Sequence, residues 1–140
     1  MADAIRFEDE PRARDVALLE EEINDFNYAA TGFHDGRSLA AFLRDADGRL
    51  RAGLAGHTWG GCCEIRFLWV RERERRAGLG SALLGAAEGE ARARGCDQVV
   101  LSTHSFQAPD FYRRHGYLEV GRVAGYPRGH AQIFLCKRLS

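Results

Sequence analysis

The run Cys62-Cys63-Glu64-Ile65-Arg66-Phe67-Leu68-Trp69-Val70, the basic stretch Arg71 to Arg76 and the turn Ala77-Gly78-Leu79-Gly80-Ser81 together decide the fold. The first nine residues are apolar except for Glu64 and Arg66, which predicts a central strand buried on most of both faces. From Gly78 to about Arg94 the apolar residues Leu79, Leu83, Ala86 and Ala87 recur at helical spacing, and Gly95 ends the helix. Glu88 to Arg92 and Glu90 to Arg94 read as i,i+4 pairs on its wet side. A helix that opens on glycines presents unpaired backbone N–H groups and the positive end of its dipole. Gly78 and Gly80 remove side chains that would block a close ligand, so the turn is an anion site suited to phosphate, with the nearby arginines adding charged donors. The spacing is neither that of a P-loop, which needs Lys-Ser/Thr after the glycines, nor of the dinucleotide fingerprint, which needs a third glycine.

Working outward, Gln98 to Thr103 reads as the strand after this helix. A strand, a crossover helix and a strand make a parallel pair. Upstream, Ser38 to Arg44 and Leu50 to Trp59 are strands joined at Asp47-Gly48, a hairpin signal, and Gly60-Gly61 marks the next turn. Downstream, Pro109 to His115 is a short helix ended by Gly116, and Tyr117 to Val123 and Ala131 to Lys137 form a final antiparallel pair. At the N-terminal side, Ala4 to Phe7 is a short strand candidate. Val16, Leu19, Ile23 and Phe26 then mark a helix from Arg12 to about Asn27, with Pro11 at its first turn and a loop between Gly32 and Gly36. The order β-α-β-β-β-α-β-α-β-β predicts an α/β fold of α+β type, with a mixed, mostly antiparallel sheet and helices on its faces.

The 140 residues fit one domain, 1–140, long enough for a sizeable core. Twenty basic residues balance twenty acidic ones, which removes any overall attraction to nucleic acid or anionic membrane. Lys137 is the only lysine; the arginine excess reflects either phosphate binding or the codon usage of a GC-rich genome. Met1 to Glu10 shows no secretory leader, and no run reaches the length of a membrane span. Cys62, Cys63, Cys96 and Cys136 fit no zinc spacing and read as small hydrophobes in a reducing cytoplasm, with no metal expected.

Arg75-Arg76-Ala77-Gly78-Leu79-Gly80 resembles the Arg/Gln-x-x-Gly-x-Gly/Ala motif of the GNAT superfamily of acyl-CoA N-acyltransferases. Ala108-Pro109-Asp110-Phe111-Tyr112-Arg113-Arg114-His115-Gly116-Tyr117 is similar to that family's A-x-x-(L/F)-Y-x-x-x-G-(F/Y), and Glu64 to Val70 to its pantetheine-binding strand. The likeness is close from about Cys62 to Arg122 and extends along the chain by element order. It implies the GNAT fold, with the central parallel pair splayed near Leu68 to Val70 so that the cofactor lies in the gap. It implies acetyl-CoA as co-substrate. Its pyrophosphate would be held at Arg75, Arg76, Ala77, Gly78, Leu79, Gly80 and Ser81, and its pantetheine arm at Leu68, Trp69 and Val70. Ser105, Ala108 and Phe111 complete the contacts. Ser105 stands where many relatives carry Asn. The connection from Ala29 to Gly36, where relatives often have a second helix, is short, so family acceptors do not carry over.

The resemblance puts Tyr112 where a phenol faces the coenzyme sulfur and can return a proton to the departing thiolate. Glu64 is the candidate base: a carboxylate in an apolar strand is costly unless paired or functional, and burial there would favour proton uptake. Pairing with Arg66 on the same strand face is its structural alternative. His57, Thr103 and His104 lie at strand ends that could reach the cleft. Arg75 and Arg76 are expected to act on the ligand, and Arg71 and Arg73 to face solvent. Phe26, Tyr28, Phe33, Trp59 and Tyr126 are either core or acceptor pocket. No cysteine falls in either motif, which favours direct transfer to a primary amine. The residues do not choose among a small amine, an amino acid, an antibiotic and a peptide side chain. A non-catalytic acyl-CoA sensor is the rival reading, and a nucleic-acid binder conflicts with the interleaved glutamates. The final strands could pair across chains into a homodimer.

Overall fold

The computed structural model describes residues 3–140, which fall in two compact units divided between residues 34 and 35. The first unit holds one helix, α1 (Ala13–Thr31), with Asp15 in its first turn near the positive dipole end. It runs past the predicted Asn27 because Tyr28, Ala29 and Ala30 tolerate helix. It ends at Gly32, whose φ of 77° lets its N–H reach the Tyr28 carbonyl. Pro11 precedes the N-cap Arg12 rather than sitting inside the first turn. Ala4 to Phe7, expected as a strand, has no regular structure. So short a run stays extended only where a ladder holds it. Among the described residues no helix is long and apolar enough to cross a membrane.

The second unit is a six-stranded sheet in the order β1-β2-β3-β4-β6-β5. Its strands are β1 (Arg37–Arg44), β2 (Leu50–Trp59), β3 (Cys62–Val70), β4 (Gln98–His104), β5 (Leu118–Ala124) and β6 (Ala131–Arg138). Helices α2 (Leu79–Ala93) and α3 (Pro109–Arg114) connect β3 to β4 and β4 to β5. Only β3 and β4 are parallel, as the crossover through α2 requires. At the β2–β3 turn Gly60 and Gly61 have φ of 58° and 84°, the two left-handed residues that a two-residue hairpin of native twist needs. The last two strands pair as expected, but β6 slots between β4 and β5, so both of its edges are hydrogen-bonded.

Helix α2 packs on β1, β2 and β3, and its Leu83, Leu84, Ala87 and Ala91 join one buried core with Leu54, Cys63, Ile65 and, from β4, Val99 and Leu101. Its alanines bring the helix close to the sheet. Glu90 and Arg94 pair on the wet side as expected, at 3.6 Å. Glu88 does not. It shares the inner face with Leu84 and Ala91, where it accepts from the Tyr117 hydroxyl at 2.8 Å and from Lys137 Nζ at 2.9 Å. A buried carboxylate with a charged partner and a second donor satisfies the condition for burial.

The sheet opens along one seam. The β3–β4 ladder joins Cys62–Ile65 to Gln98–Leu101 and stops. On the other side of β3 the register shifts: Ala55 opposes Phe67 but Gly56 opposes Ile65, so Arg66 is an extra residue. Such a bulge bends and twists the strand that carries it. The twist swings Arg66 to Val70 away from β4 and leaves a gap at the strands' carboxyl ends. Gly56 makes the bulge possible, since a Cβ there would collide with the Glu64 carbonyl oxygen.

Candidate active site

The gap contains two cavities. The larger, about 750 Å³, is lined by the end of β3, the turn before α2 and the first turns of α2 and α3. The smaller, about 220 Å³, lies between Ile65 to Trp69 and Leu101 to Thr103. Leu68, Trp69, Gln107, Ala108 and Tyr112 border both, so the two meet across the sheet at the splay.

One end of the larger cavity is built for an anion. After a short 3₁₀ turn (Glu72–Glu74), Arg75 is extended, Arg76 adopts φ 78° and Gly78 φ 82°. Arg76 is the sole non-glycine at positive φ among the described residues. That conformation costs energy and clusters at ligand sites, where successive amides form a concave nest. Ala82 N–H, bonded to the Gly78 carbonyl, is the first closed turn of α2, and no side chain caps the helix. The amides of Gly78 to Ser81 therefore have no partner in the helix and stand beside the positive dipole end, whereas the Ala77 N–H is bonded to the Glu74 carbonyl at 3.3 Å. A Cβ on Gly78 would meet no protein atom, so the space beside it is open to a ligand. A Cβ on Gly80 would press on the Phe111 ring at 3.3 Å and Val70 at 3.7 Å, so the glycine lets α2 start close to both. Ser81 Oγ lies 2.9 Å from His115 Nε2.

The charged loop is tied down rather than loose. Arg75 Nε donates to the Val70 carbonyl at 3.0 Å, fixing the end of β3. Arg71, expected in solvent, is largely covered; it bonds Asp45 at 2.9 Å and reaches Glu74 at 3.6 Å. Glu74 also holds Arg51 at 2.7 Å. The Arg71 bond keeps the Asp45 carboxyl below its ordinary range, and the Arg51 bond does the same for Glu74. Arg71 is covered because the β1–β2 hairpin folds back beside the start of the loop, a long-range contact that charge alternation does not reveal. Arg73 is exposed as expected.

At the other end, Tyr112 is 8% exposed and packs edge-on against Phe111 and Tyr117. Its hydroxyl has no hydrogen-bond partner in the protein among the described residues, and burial raises its pKa above the ordinary tyrosine value of 10.0. It holds a proton throughout the physiological range and stands where both cavities meet.

Of the residues singled out from sequence, Leu68, Trp69, Val70, Arg75, Arg76, Gly78, Leu79, Gly80, Ser81, Ala108, Phe111 and Tyr112 line the larger cavity together. Ala77, Ser105 and Glu64 border neither. Ser105 accepts from the Ala131 N–H at 3.0 Å through its hydroxyl and donates its own N–H to the Ala131 carbonyl at 2.8 Å, which ties β4 to the start of β6. Glu64 is 46% exposed at its side chain, 3.2 Å from Arg66 Nε and 3.6 Å from His57 Nδ1. Arg66 itself lines the smaller cavity. Thr103 also borders the smaller cavity, whereas His57 and His104 border neither. All four cysteines are free thiols outside both cavities. Burial pushes Cys63 up to about 11, so it stays a neutral thiol at physiological pH.

Gln107 was missed. Its Oε1 accepts from the His104 N–H at 2.7 Å and from Thr103 Oγ1 at 3.3 Å, which pins the loop between the two cavities. Nothing in its spacing reveals this; the signal is only its place directly before Ala108. Phe106, Arg114, Phe67 and Ser102 were missed likewise, because their placement depends on the splay.

Comparison with known proteins gives a consistent result. The model of the Acetyltransferase (GNAT) family matches residues 3–117. An acetyltransferase of Agrobacterium fabrum is 34% identical over 81% of this chain and 82% of its own length. Blasticidin-S acetyltransferase of Streptomyces morookaense is 41% identical over 66% of this chain and 68% of its own. A crystal structure of an acetyltransferase from Bacillus cereus superposes with a TM-score of 0.80 at 31% identity, covering 96% of this chain and 98% of that one.

Proposed function

The chain belongs to the GNAT family of acetyltransferases, and from that premise we propose that it transfers an acetyl group directly from acetyl-CoA to a primary amine of a small molecule. The observation that carries this reading is the continuity of one cleft, from the amide nest at Arg76 to Ser81 to the buried phenol of Tyr112. The small-molecule acceptor is supported by the likeness to blasticidin-S acetyltransferase. The family model, over residues 3–117, takes in most of the first compact unit and much of the second, which supports treating residues 1–140 as one working domain.

The cleft fits acetyl-CoA: its open nest takes phosphates, its apolar middle at Leu68 and Val70 takes an alkyl arm, and its volume is ample. When bound, acetyl-CoA supplies an activated thioester carbonyl. In the proposal, the N–H groups at the start of α2, with Arg76, hold the pyrophosphate without reorganising, as preformed donors do. The backbone of Leu68 to Val70, freed from β4 by the splay, is open to the amide-bearing arm. Tyr112 keeps its proton and gives it to the departing thiolate. Glu64 takes the ammonium proton through a water, since it borders neither cavity and is held outside them by Arg66, which lines the smaller one. Ala77 closes the turn before the nest through its N–H on the Glu74 carbonyl, and Ser105 ties the β4–β6 junction through its hydroxyl and its N–H.

The test is acetyl-CoA-dependent thiol release with a panel of small primary amines. Tyr112→Phe is expected to lower kcat by about 100-fold with acetyl-CoA affinity retained, within the usual range for a general acid. Undiminished turnover in that variant removes Tyr112 from the chemistry. Binding with no thiol release from any amine supports the sensor reading instead.

A further inference from the structure

Beside the splay stands a cluster of four rings that the transfer reaction does not use. His104, the last residue of β4, and Phe106 stack nearly parallel, with centroids 5.4 Å apart and planes at 8°. Tyr126 meets His104 edge-on at 5.1 Å, and His130 meets Phe106 edge-on at 5.0 Å. The backbone beneath them is fixed. Gly125 N–H reaches the His130 carbonyl at 2.8 Å, His130 N–H reaches the Pro127 carbonyl at 2.9 Å, and Ser105 is bonded to Ala131 on both sides. His104 Nδ1 is 3.1 Å from the Tyr126 carbonyl oxygen. A carbonyl only accepts, so Nδ1 carries the hydrogen and the imidazole is oriented.

Despite this order, Phe106 and Tyr126 are 56% and 57% exposed. Large rings held rigidly in water, together, mark a binding surface more than a packing need. The cluster is also joined to the site. Phe106 lines the larger cavity, and Ser102, on the same face of β4 as His104, lines the smaller. Gln107, which follows Phe106, borders both.

We propose that this cluster is a stacking site for a planar aromatic or heteroaromatic ring on the acceptor amine. Exposed ring faces attract such a group through offset stacking and edge-to-face contact, with the oriented imidazole of His104 adding a polar edge. The acceptor is the source of the ring, rather than the adenine of the co-substrate. Of the four rings Phe106 alone lines a cavity, the larger one. Gln107, the next residue, borders both cavities and Ser102, on the strand face of His104, lines the smaller, whereas Arg76, Gly78 and Gly80 of the nest border the larger alone. The inference rests on the transferase reading and narrows its acceptor to ring-bearing amines.

The experiment compares benzylamine with n-butylamine on the wild-type chain, Phe106→Leu and Tyr126→Leu, both variants keeping apolar bulk at exposed positions. The ratio of kcat/KM for benzylamine over n-butylamine is expected to fall about tenfold in each variant. Histidine ring resonances of His104 and His130 are expected to shift with benzylamine and not with n-butylamine, a readout independent of turnover. An unchanged ratio with unmoved resonances overturns the inference. So does a Phe106→Leu variant that loses affinity for acetyl-CoA but not for acetyl-pantetheine, which assigns the rings to adenine. Histidine shifts without any thiol release would sustain the ring site and overturn the transferase reading.

Discussion

Replacing Gly56 by alanine tests the origin of the splay. The added Cβ falls on the Glu64 carbonyl oxygen, 2.9 Å from its carbon and 3.0 Å from the Ile65 Cα. All three atoms are backbone, so no side chain can rotate to relieve the clash; β2 must move off β3 at the bulge. Overpacking of this kind costs about 3 kcal/mol at the upper end of its usual range. For a chain of this length that is a fall in Tm of roughly 12 °C. Gly53→Ala is the internal control. Its Cβ meets the Phe42 ring at 3.0 Å, a half-exposed side chain that can turn away, so the expected loss is under about 1 kcal/mol. Thermal melts followed by circular dichroism, with acetyl-CoA titrations on whatever folds, give both numbers. Because the bulge aims Phe67 to Val70, Gly56→Ala should also weaken acetyl-CoA binding more than Gly53→Ala does. A Gly56→Ala protein that melts within about 3 °C of wild type and binds normally would refute the claim that this close approach sets the gap.

Gly85→Ala and Gly89→Ala add a methyl to α2 where no atom lies within 4 Å, so each should stabilise by about 0.5–1 kcal/mol in denaturant titrations. Asp45, Glu74 and Glu119 sit below their ordinary values, held by Arg71, Arg51 and Arg122 respectively. Depressed carboxyl pKa values stabilise above the unfolded values of 3.8 and 4.5 and lose that stabilisation as pH falls through the folded ones. The Tm should therefore decline below about pH 4.5, less steeply in Asp45→Asn. The alkaline limb of turnover assigned to Tyr112 should lie above pH 10.0, because burial raises that phenol. Replacing all four cysteines by alanine should leave thiol release largely intact in whatever fraction folds, and Cys63 should react slowly with thiol reagents at neutral pH.

The arrangement of strands was legible because the relevant signals are local. Asp47-Gly48 and Gly60-Gly61 announce their hairpins, and the apolar run of β3 announces a strand, but the burial expected on most of both its faces holds only at Cys63 and Ile65; Phe67 and Trp69 are 72% and 48% exposed where the strand leaves β4. The larger cavity was legible for the same reason, since its glycine-rich end is a contiguous turn and Tyr112 lies in a contiguous motif. What stayed hidden depends on register between strands distant in sequence. The bulge at Arg66 is invisible until β2 is laid against β3, and it decides that Glu64 faces Arg66 and His57 at the surface. Glu88 was read as a wet-side residue because helical spacing fixes a face only relative to its neighbours; Tyr117 and Lys137 arrive from other elements. Ser105 looked like a ligand contact by motif position, yet the neighbouring strand claims its hydroxyl. Ala4 to Phe7 looked extended by composition, but composition cannot supply a ladder.

The central claim is that the nest before α2 holds the pyrophosphate of acetyl-CoA. Calorimetric titration of acetyl-CoA into the purified chain tests it most directly, with Gly78→Asp and Gly80→Asp placing a carboxylate in the nest. The account predicts binding in the micromolar range that is abolished in both variants while their melts show a folded protein. A folded wild-type chain that takes up no acetyl-CoA, or variants that bind it as tightly, would contradict it.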